Sequence, residues 1–126
     1  MGVKQPLYLA VSRDVEEEGL LGGRYARRGF STRNTASLRA LAPFCTMGVR
    51  PTLFCAHSVL ADKASHETLT WLRDEHHAEI GAHLHHWNTP PLALDGSEQT
   101  LPDMADSVPA AALSNDLFAA KLAALM

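Results

Sequence analysis

Three short apolar segments alternate with helical patterns along this chain, and the alternation limits the folds that the chain can adopt. The segments are residues 7–12, 52–56 and 78–83. Each has the apolar, β-compatible profile of a buried strand in a parallel sheet. Strands separated by helices predict a parallel sheet or barrel with right-handed crossovers. We therefore expect an α/β fold, and 126 residues are enough for one small domain.

Two helices are predicted between these strands. The first follows candidate capping residues at 31–35 and ends near Gly48, because glycine commonly ends a helix. The second begins at Asp62 or Ser65 and ends at residues 76–77, two histidines that would meet the negative end of the helix dipole.

The alternation of strands and helices stops after the third predicted strand. Residues 87–113 are rich in Pro, Asp and Ser and have little periodicity, which predicts a long loop. Ser114 and Asn115 are candidate caps for a final helix over residues 116–126.

His83 and His85 are the strongest candidates for metal ligands. They leave the third predicted strand two positions apart, and residues at this spacing on an extended backbone point the same way. Neutral imidazole is the commonest metal ligand among side chains that titrate near neutrality. The alternative is that both histidines only make hydrogen bonds on a solvated loop.

Acidic residues follow the first predicted strand, where α/β proteins place their chemistry. Asp14 and Glu16 would share one face of the extended chain, while Val15 points away. We interpret Glu17 and Glu18 as an ordinary solvated acidic run. A carboxylate with two imidazoles predicts a divalent metal site, and the nitrogen ligands favour zinc.

Charge and hydropathy exclude several classes of function. A net charge of −3 gives no electrostatic case for nucleic acid, and no apolar run approaches membrane-spanning length. The N-terminus does not have the pattern of a secretory signal, so we expect a cytoplasmic protein. Cys45 and Cys55 are accordingly interpreted as reduced, buried side chains, with a ligand role for Cys55 as a minor alternative.

Four sequence segments together resemble the N-terminal part of the polysaccharide deacetylases, the nodulation-type or family-four carbohydrate esterases. An apolar strand ends in DVE at residues 14–16, and RPTLF at residues 50–54 is similar to the family's second strand. EIGAH at residues 79–83 resembles the family's histidine segment. The longest likeness is GAHLHHWNTPP at residues 81–91, which is similar to one subgroup.

The resemblance implies a deformed barrel of βα units, of which this chain would supply about three. It also implies metal-dependent removal of an N-acetyl group from a sugar or polysaccharide, so that an acetylated carbohydrate would be the substrate. Asp14 would be the general base, and Glu16, His83 and His85 would hold the metal. Trp87 would line the substrate groove and stack on the sugar ring, although packing in the core is an alternative role.

The chain departs from the family pattern at three places. The usual adjacent acidic pair is replaced by Asp14-Val15-Glu16, so the base and ligand roles could be exchanged. The spacing of the two histidines is two instead of four. His86 stands where the subgroup has proline, so it could compete as a ligand.

The later motifs of the family, an arginine that orients the base and a histidine that serves as the acid, have no counterpart in this sequence. We therefore expect residues 1–126 to be an incomplete, truncated deacetylase-like domain without deacetylase activity of its own. The alternative function is a non-catalytic fragment that keeps only metal or ligand binding. An exposed sheet edge would then favour a homo-oligomer.

Overall fold

A three-stranded, all-parallel sheet forms the centre of the protein. The computed structural model describes residues 5–92, 110 and 113–126. The strands are β1 (Ser12–Val15), β2 (Thr52–Ala56) and β3 (Glu79–His83), and β2 lies between the other two. The α/β class and the bounds of β2 are as predicted. Most of the predicted loop over residues 87–113 lies outside the described residues.

The first strand begins later than the sequence predicts. Residues 7–12 were expected to form a buried strand, but Leu7, Tyr8 and Leu9 are 96%, 87% and 78% exposed. The Thr52 amide donates to the Val11 carbonyl, and the ladder between β1 and β2 starts there. β2 itself begins at Thr52, so within the described residues no strand lies beside the apolar residues upstream of Val11.

Helices cover one face of the sheet. A 3₁₀ helix (Arg33–Leu41) runs directly into α1 (Ala42–Thr46), because Pro43 has no N–H and the Arg39 carbonyl accepts from the Ala42 amide instead. Next come α2 (His57–Leu60), which the sequence did not predict, and α3 (Lys63–His76). The buried core between sheet and helices consists of Val15, Leu38, Leu53, Cys55, Val59, Leu69, Leu72 and Ala78.

The capping predicted for α3 and after α1 is present, whereas Thr32, the N-cap of the 3₁₀ helix, makes no side-chain capping hydrogen bond. The Ser65 amide donates to the Asp62 carboxylate at 2.8 Å, so Asp62 is the N-cap of α3. His77 ends that helix with a left-handed φ of 56°. Gly48 adopts a φ of 93° just after α1, which glycine does at no steric cost.

The other face of the sheet is only partly covered by the described residues. Register places Asp14, Phe54 and Gly81 side by side across the three strands. Phe54 is 38% exposed, and its ring lies over Gly81, where a Cβ would come within 2.8 Å of the ring. β3 was predicted to be buried, but Glu79 is exposed because β3 is an edge strand.

The last helix, α4 (Asn115–Ala123), is capped by Ser114. Its buried residues are Leu117 and Lys121, and the Lys121 amino group donates to the carbonyl oxygens of Thr89 and Pro91. α4 is therefore attached to the segment that follows β3. None of the helices within the described ranges has both the length and the apolar character that a membrane crossing requires.

Candidate metal centre

The two outer strands bring the predicted site residues to one edge of the sheet. All three strands are parallel, so their carboxyl ends meet there. β1 delivers Asp14 and, just beyond its end, Glu16, while β3 delivers His83. Between them β2 ends in Ala56, which pairs in register with His83 and is fully buried. A methyl group at this position leaves room for side chains from β1 and β3 to meet across β2.

Glu16, His83 and His85 form a cluster whose ligand atoms are close enough together to hold one metal ion. One ligand atom from each residue lies within 4.8 Å of the others, and in the described part of the chain this is the only such group. His85 Nε2 is 3.1 Å from Glu16 Oε2. Two ligands bonded tetrahedrally at 2.0–2.1 Å would lie about 3.3 Å apart, so this pair has almost the required separation.

Solvent can reach the cluster from one side. The Glu16 and His83 side chains are 30% and 26% exposed, whereas that of His85 is 4% exposed. Three protein ligands with an open side are typical of catalytic rather than structural zinc sites, in which four ligands close the coordination sphere.

Asp14 lies beside the cluster but outside it. Its Oδ1 is 3.3 Å from His83 Nδ1, and its side chain is 60% exposed. The predicted sharing of one face by Asp14 and Glu16 is therefore confirmed, since each reaches a different histidine. The contact also leaves two roles open for Asp14, because it can accept a proton from water or hold the His83 ring.

Glu17 corrects the sequence interpretation of the acidic run. It was assigned to solvent together with Glu18, but Glu17 is 2% exposed and Glu18 alone is exposed. Glu17 accepts hydrogen bonds from four side chains: Ser58 Oγ at 2.6 Å, Asn88 Nδ2 at 2.7 Å, Trp87 Nε1 at 3.1 Å and His85 Nδ1 at 3.2 Å. A sequence signal existed, because Glu17 is two residues after Val15, which points into the core.

These hydrogen bonds keep the buried Glu17 carboxylate ionised. Burial alone raises the pKa of Glu17, but the bonds from His85 and Ser58 outweigh burial and lower the pKa to about 2. Ser58 belongs to the unpredicted helix α2, and Asn88 follows the histidines. Sequence reasoning missed both as site residues, because neither has a pattern that marks a partner so distant along the chain.

Backbone contacts hold the acidic run in place. The Asn34 side chain donates to the Glu16 carbonyl at 2.9 Å, and the Glu18 amide donates to the Ser31 carbonyl at 2.8 Å. Gly19 follows with a φ of 100°, a left-handed conformation that turns the chain away from the site. The segment that carries Glu16 and Glu17 is thus fixed from both ends.

Trp87 packs against the site rather than projecting freely from it. Its ring stacks on His85 with centroids 4.4 Å apart, and the Tyr25 ring meets it edge-on at 5.2 Å. The indole is half-buried. Its proposed contact with substrate remains a prediction, and the geometry gives it a second role in supporting His85.

His86 and Cys55 stand apart from the cluster. His86 is 5% exposed, and burial, followed by the charge of Lys121, lowers its pKa. Cys55 is fully buried, and burial raises the pKa of its thiol to about 11, so it remains protonated. Cys45 and Cys55 are both free thiols, and Cys45 is only half-buried instead of buried as predicted.

A cavity of about 320 Å³ adjoins the acidic run on the side of the 3₁₀ helix. Its lining includes Asp14, Glu16 and Leu38 but neither ligand histidine. This cavity therefore meets the cluster only at Glu16.

Comparison of the chain with protein-family models, with curated proteins and with solved structures gave no match. The functional assignment therefore depends on the residues and on the geometry that they adopt.

Proposed function

We propose that this chain carries the metal centre of a hydrolase that removes an N-acetyl group from a sugar or polysaccharide, acting on a carbon–nitrogen bond that is not a peptide bond. The observation that carries the proposal is the cluster of one carboxylate and two imidazoles at an open sheet edge. The substrate class rests on the sequence resemblance to polysaccharide deacetylases. The same resemblance supports a partial (β/α) barrel of about three βα units as the finer description of the fold.

The donor set fits a divalent ion such as zinc. Glu16 supplies one oxygen, and His83 and His85 supply one nitrogen each. Two histidines with one carboxylate occur in catalytic zinc sites and also suit ferrous iron, so the ion must be identified by measurement. When bound, such an ion lowers the pKa of water and polarises a carbonyl oxygen.

The acid–base role falls to Asp14. Its carboxylate is exposed to solvent, lies outside the cluster and is within 3.3 Å of a ligand histidine. It can therefore accept the proton of an attacking water without giving up a place in the metal cluster. The second proton, which the leaving amine requires, has no assigned donor among the described residues.

Trp87 and Tyr25 supply an aromatic edge next to His85. Aromatic rings pack well against the apolar face of a sugar. We propose that Trp87 contacts the substrate where its half-buried indole reaches solvent. The alternative is that Trp87 serves only to support His85.

Elemental analysis of protein purified without chelator tests the metal site. We expect about one equivalent of a divalent ion, zinc in preference to iron. The His83→Ala/His85→Ala double variant should lose it. His66→Ala/His76→Ala is the matched control, since it removes two histidines outside the cluster. Full metal content in the first variant would refute the proposal.

Hydrolysis of an N-acetylglucosamine oligomer, measured with and without added metal, tests the activity. Metal binding without turnover would support the alternative function, a non-catalytic fragment that retains only metal or ligand binding. Absence of metal from the unmodified protein would leave the histidines with a structural role only.

A further inference from the structure

We infer that Glu17 is a positioning residue that fixes the His85 ring with Nε2 free to bind the metal. Its carboxylate contacts the opposite ring nitrogen, Nδ1, with both oxygens at 3.2 Å. The inference depends on the proposed metal centre. It adds a residue that the sequence interpretation placed in solvent.

The partners of Glu17 decide which nitrogen of His85 carries the proton. Trp87 Nε1 and Asn88 Nδ2 both reach Glu17 Oε1, and an indole or amide N–H can only donate. The Glu17 carboxylate is therefore an acceptor, so His85 Nδ1 must be the donor. In a neutral imidazole with the proton on Nδ1, the lone pair lies on Nε2.

That lone pair is directed at the proposed metal position. His85 Nε2 is 3.1 Å from Glu16 Oε2, an oxygen of another proposed ligand. A carboxylate that binds the far side of a ligand histidine selects its tautomer, holds its ring and raises its basicity. Glu17 is placed to select the tautomer of His85 and to hold its ring.

The surroundings of Glu17 make this orientation rigid. Ser58 Oγ donates to Oε2 from α2, while Trp87 and Asn88 approach from the segment after β3. The indole of Trp87 also covers one face of the His85 ring. The imidazole is held at Nδ1 and on one face, so it can neither flip nor tilt without breaking several contacts.

Long-range ¹H–¹⁵N NMR of the histidine rings in metal-free protein tests the inference without any variant. We expect a proton on His85 Nδ1, with or without a second proton on Nε2, which faces the Glu16 carboxylate in the metal-free protein. The opposite tautomer in the folded, unmodified protein would overturn the inference, even if the protein binds metal.

Glu17→Gln tests the consequence for metal binding, with cobalt(II) as the probe. The variant keeps the volume of the side chain but replaces one carboxylate oxygen with an NH₂ group. This group cannot accept the hydrogen bonds that the surrounding side chains donate. We expect cobalt(II) affinity to fall roughly 10- to 100-fold, with the circular dichroism of the fold retained and the visible cobalt spectrum altered. Glu18→Gln is the matched control, because it removes the same charge one residue further along at an exposed position.

Two outcomes separate the inference from the proposed function. If the unmodified protein binds no cobalt(II), the metal centre itself is wrong. If it binds cobalt(II) and Glu17→Gln binds equally well with the same spectrum, only the positioning role is wrong. Should Glu17→Gln fail to fold, the tautomer measured in the unmodified protein still decides.

Discussion

Asp14 and Glu16 project from the same face of one chain segment, yet they reach different partners. Glu16 lies within the cluster and Asp14 contacts only the edge of His83. We predict that Glu16→Gln weakens zinc binding by more than the roughly 10- to 100-fold expected for an outer contact. Asp14→Asn should change it only a few-fold. Calorimetric titration measures both, and the reverse order would exchange the two roles.

Alternation along an extended chain was sufficient to select four of the site residues. It placed Asp14 with Glu16 and His83 with His85, and the structure brings both pairs together. Alternation also puts Glu17 on the same side as the core residue Val15, but the group that makes its burial tolerable, His85, is 68 positions away and has no local signal. From sequence alone, a carboxylate in an acidic run is predicted to be solvated, because its distant partners are not known.

The contact between neighbouring strands at Gly81 governs how β2 and β3 pack. Phe54 lies over Gly81, and an added Cβ would approach its ring to 2.8 Å. We predict that Gly81→Ala lowers the free energy of unfolding by about 1 kcal/mol, at the low end for overpacking because the half-exposed ring can tilt outwards. Urea unfolding measures the change.

Phe54→Leu supplies the control for that prediction. On this background the Gly81→Ala substitution should cost less, because the shorter side chain no longer occupies the space above the glycine. Equal costs on both backgrounds would show that the ring does not limit residue 81.

Helix α4 depends on a lysine that is withdrawn from water. Burial, followed by the nearby charge of Arg27, lowers the pKa of Lys121 to about 8 from its ordinary 10.5. Between these values the unfolded chain binds the proton and the folded chain does not. The contribution of Lys121 to the free energy of unfolding should therefore rise from pH 8 to pH 10.5, by at most about 3 kcal/mol.

Lys121→Met isolates this contribution. The pKa of Cys55, raised by burial from 9.0 to about 11, makes the free energy of unfolding fall with pH between these values, but this contribution is common to both proteins. His57 and His86 are neutral throughout, since burial and Lys121 lower the pKa of each. Denaturant unfolding at several pH values should give a free energy of unfolding that rises less, or falls more, with pH in the variant, and parallel profiles would contradict the prediction.

The displaced first strand shows what periodicity alone cannot determine. Residues 7–12 have the composition of a strand, but a strand also needs a partner with free N–H and C=O groups. β2 begins only at Thr52, so residues 7–10 lie beyond the end of that partner. The strand β2 and the helix α3 were predicted well because their signals, a buried apolar run and a capping aspartate, are local.

At the scale of the molecule, both outer strands of the sheet lack a neighbour on one side within the described residues. Leu7, Tyr8 and Leu9 are exposed directly before β1. We propose that the β1 edge of the sheet, together with residues 7–9 before it, pairs with a second copy of the chain, because an exposed apolar edge is a template for association. Sedimentation velocity should show a concentration-dependent dimer or larger species.

Leu9→Lys tests which edge is responsible. A charge on an edge segment opposes strand pairing, so the variant should remain monomeric at concentrations where the unmodified chain associates. If the variant associates as the unmodified chain does, another surface is responsible. If the unmodified chain is monomeric at all concentrations, the proposed self-association is wrong.

The proposed metal ligands come from two strands, with Glu16 after β1 and the two histidines at or just after the end of β3, and this separation affects the rates of folding and unfolding. β1 and β3 do not pair with each other, and only side chains reaching across β2 connect them. An ion can therefore bind only after all three strands are in register, late on the folding pathway. Such an ion should slow unfolding and leave the refolding rate unchanged, as stopped-flow measurements with and without zinc would show.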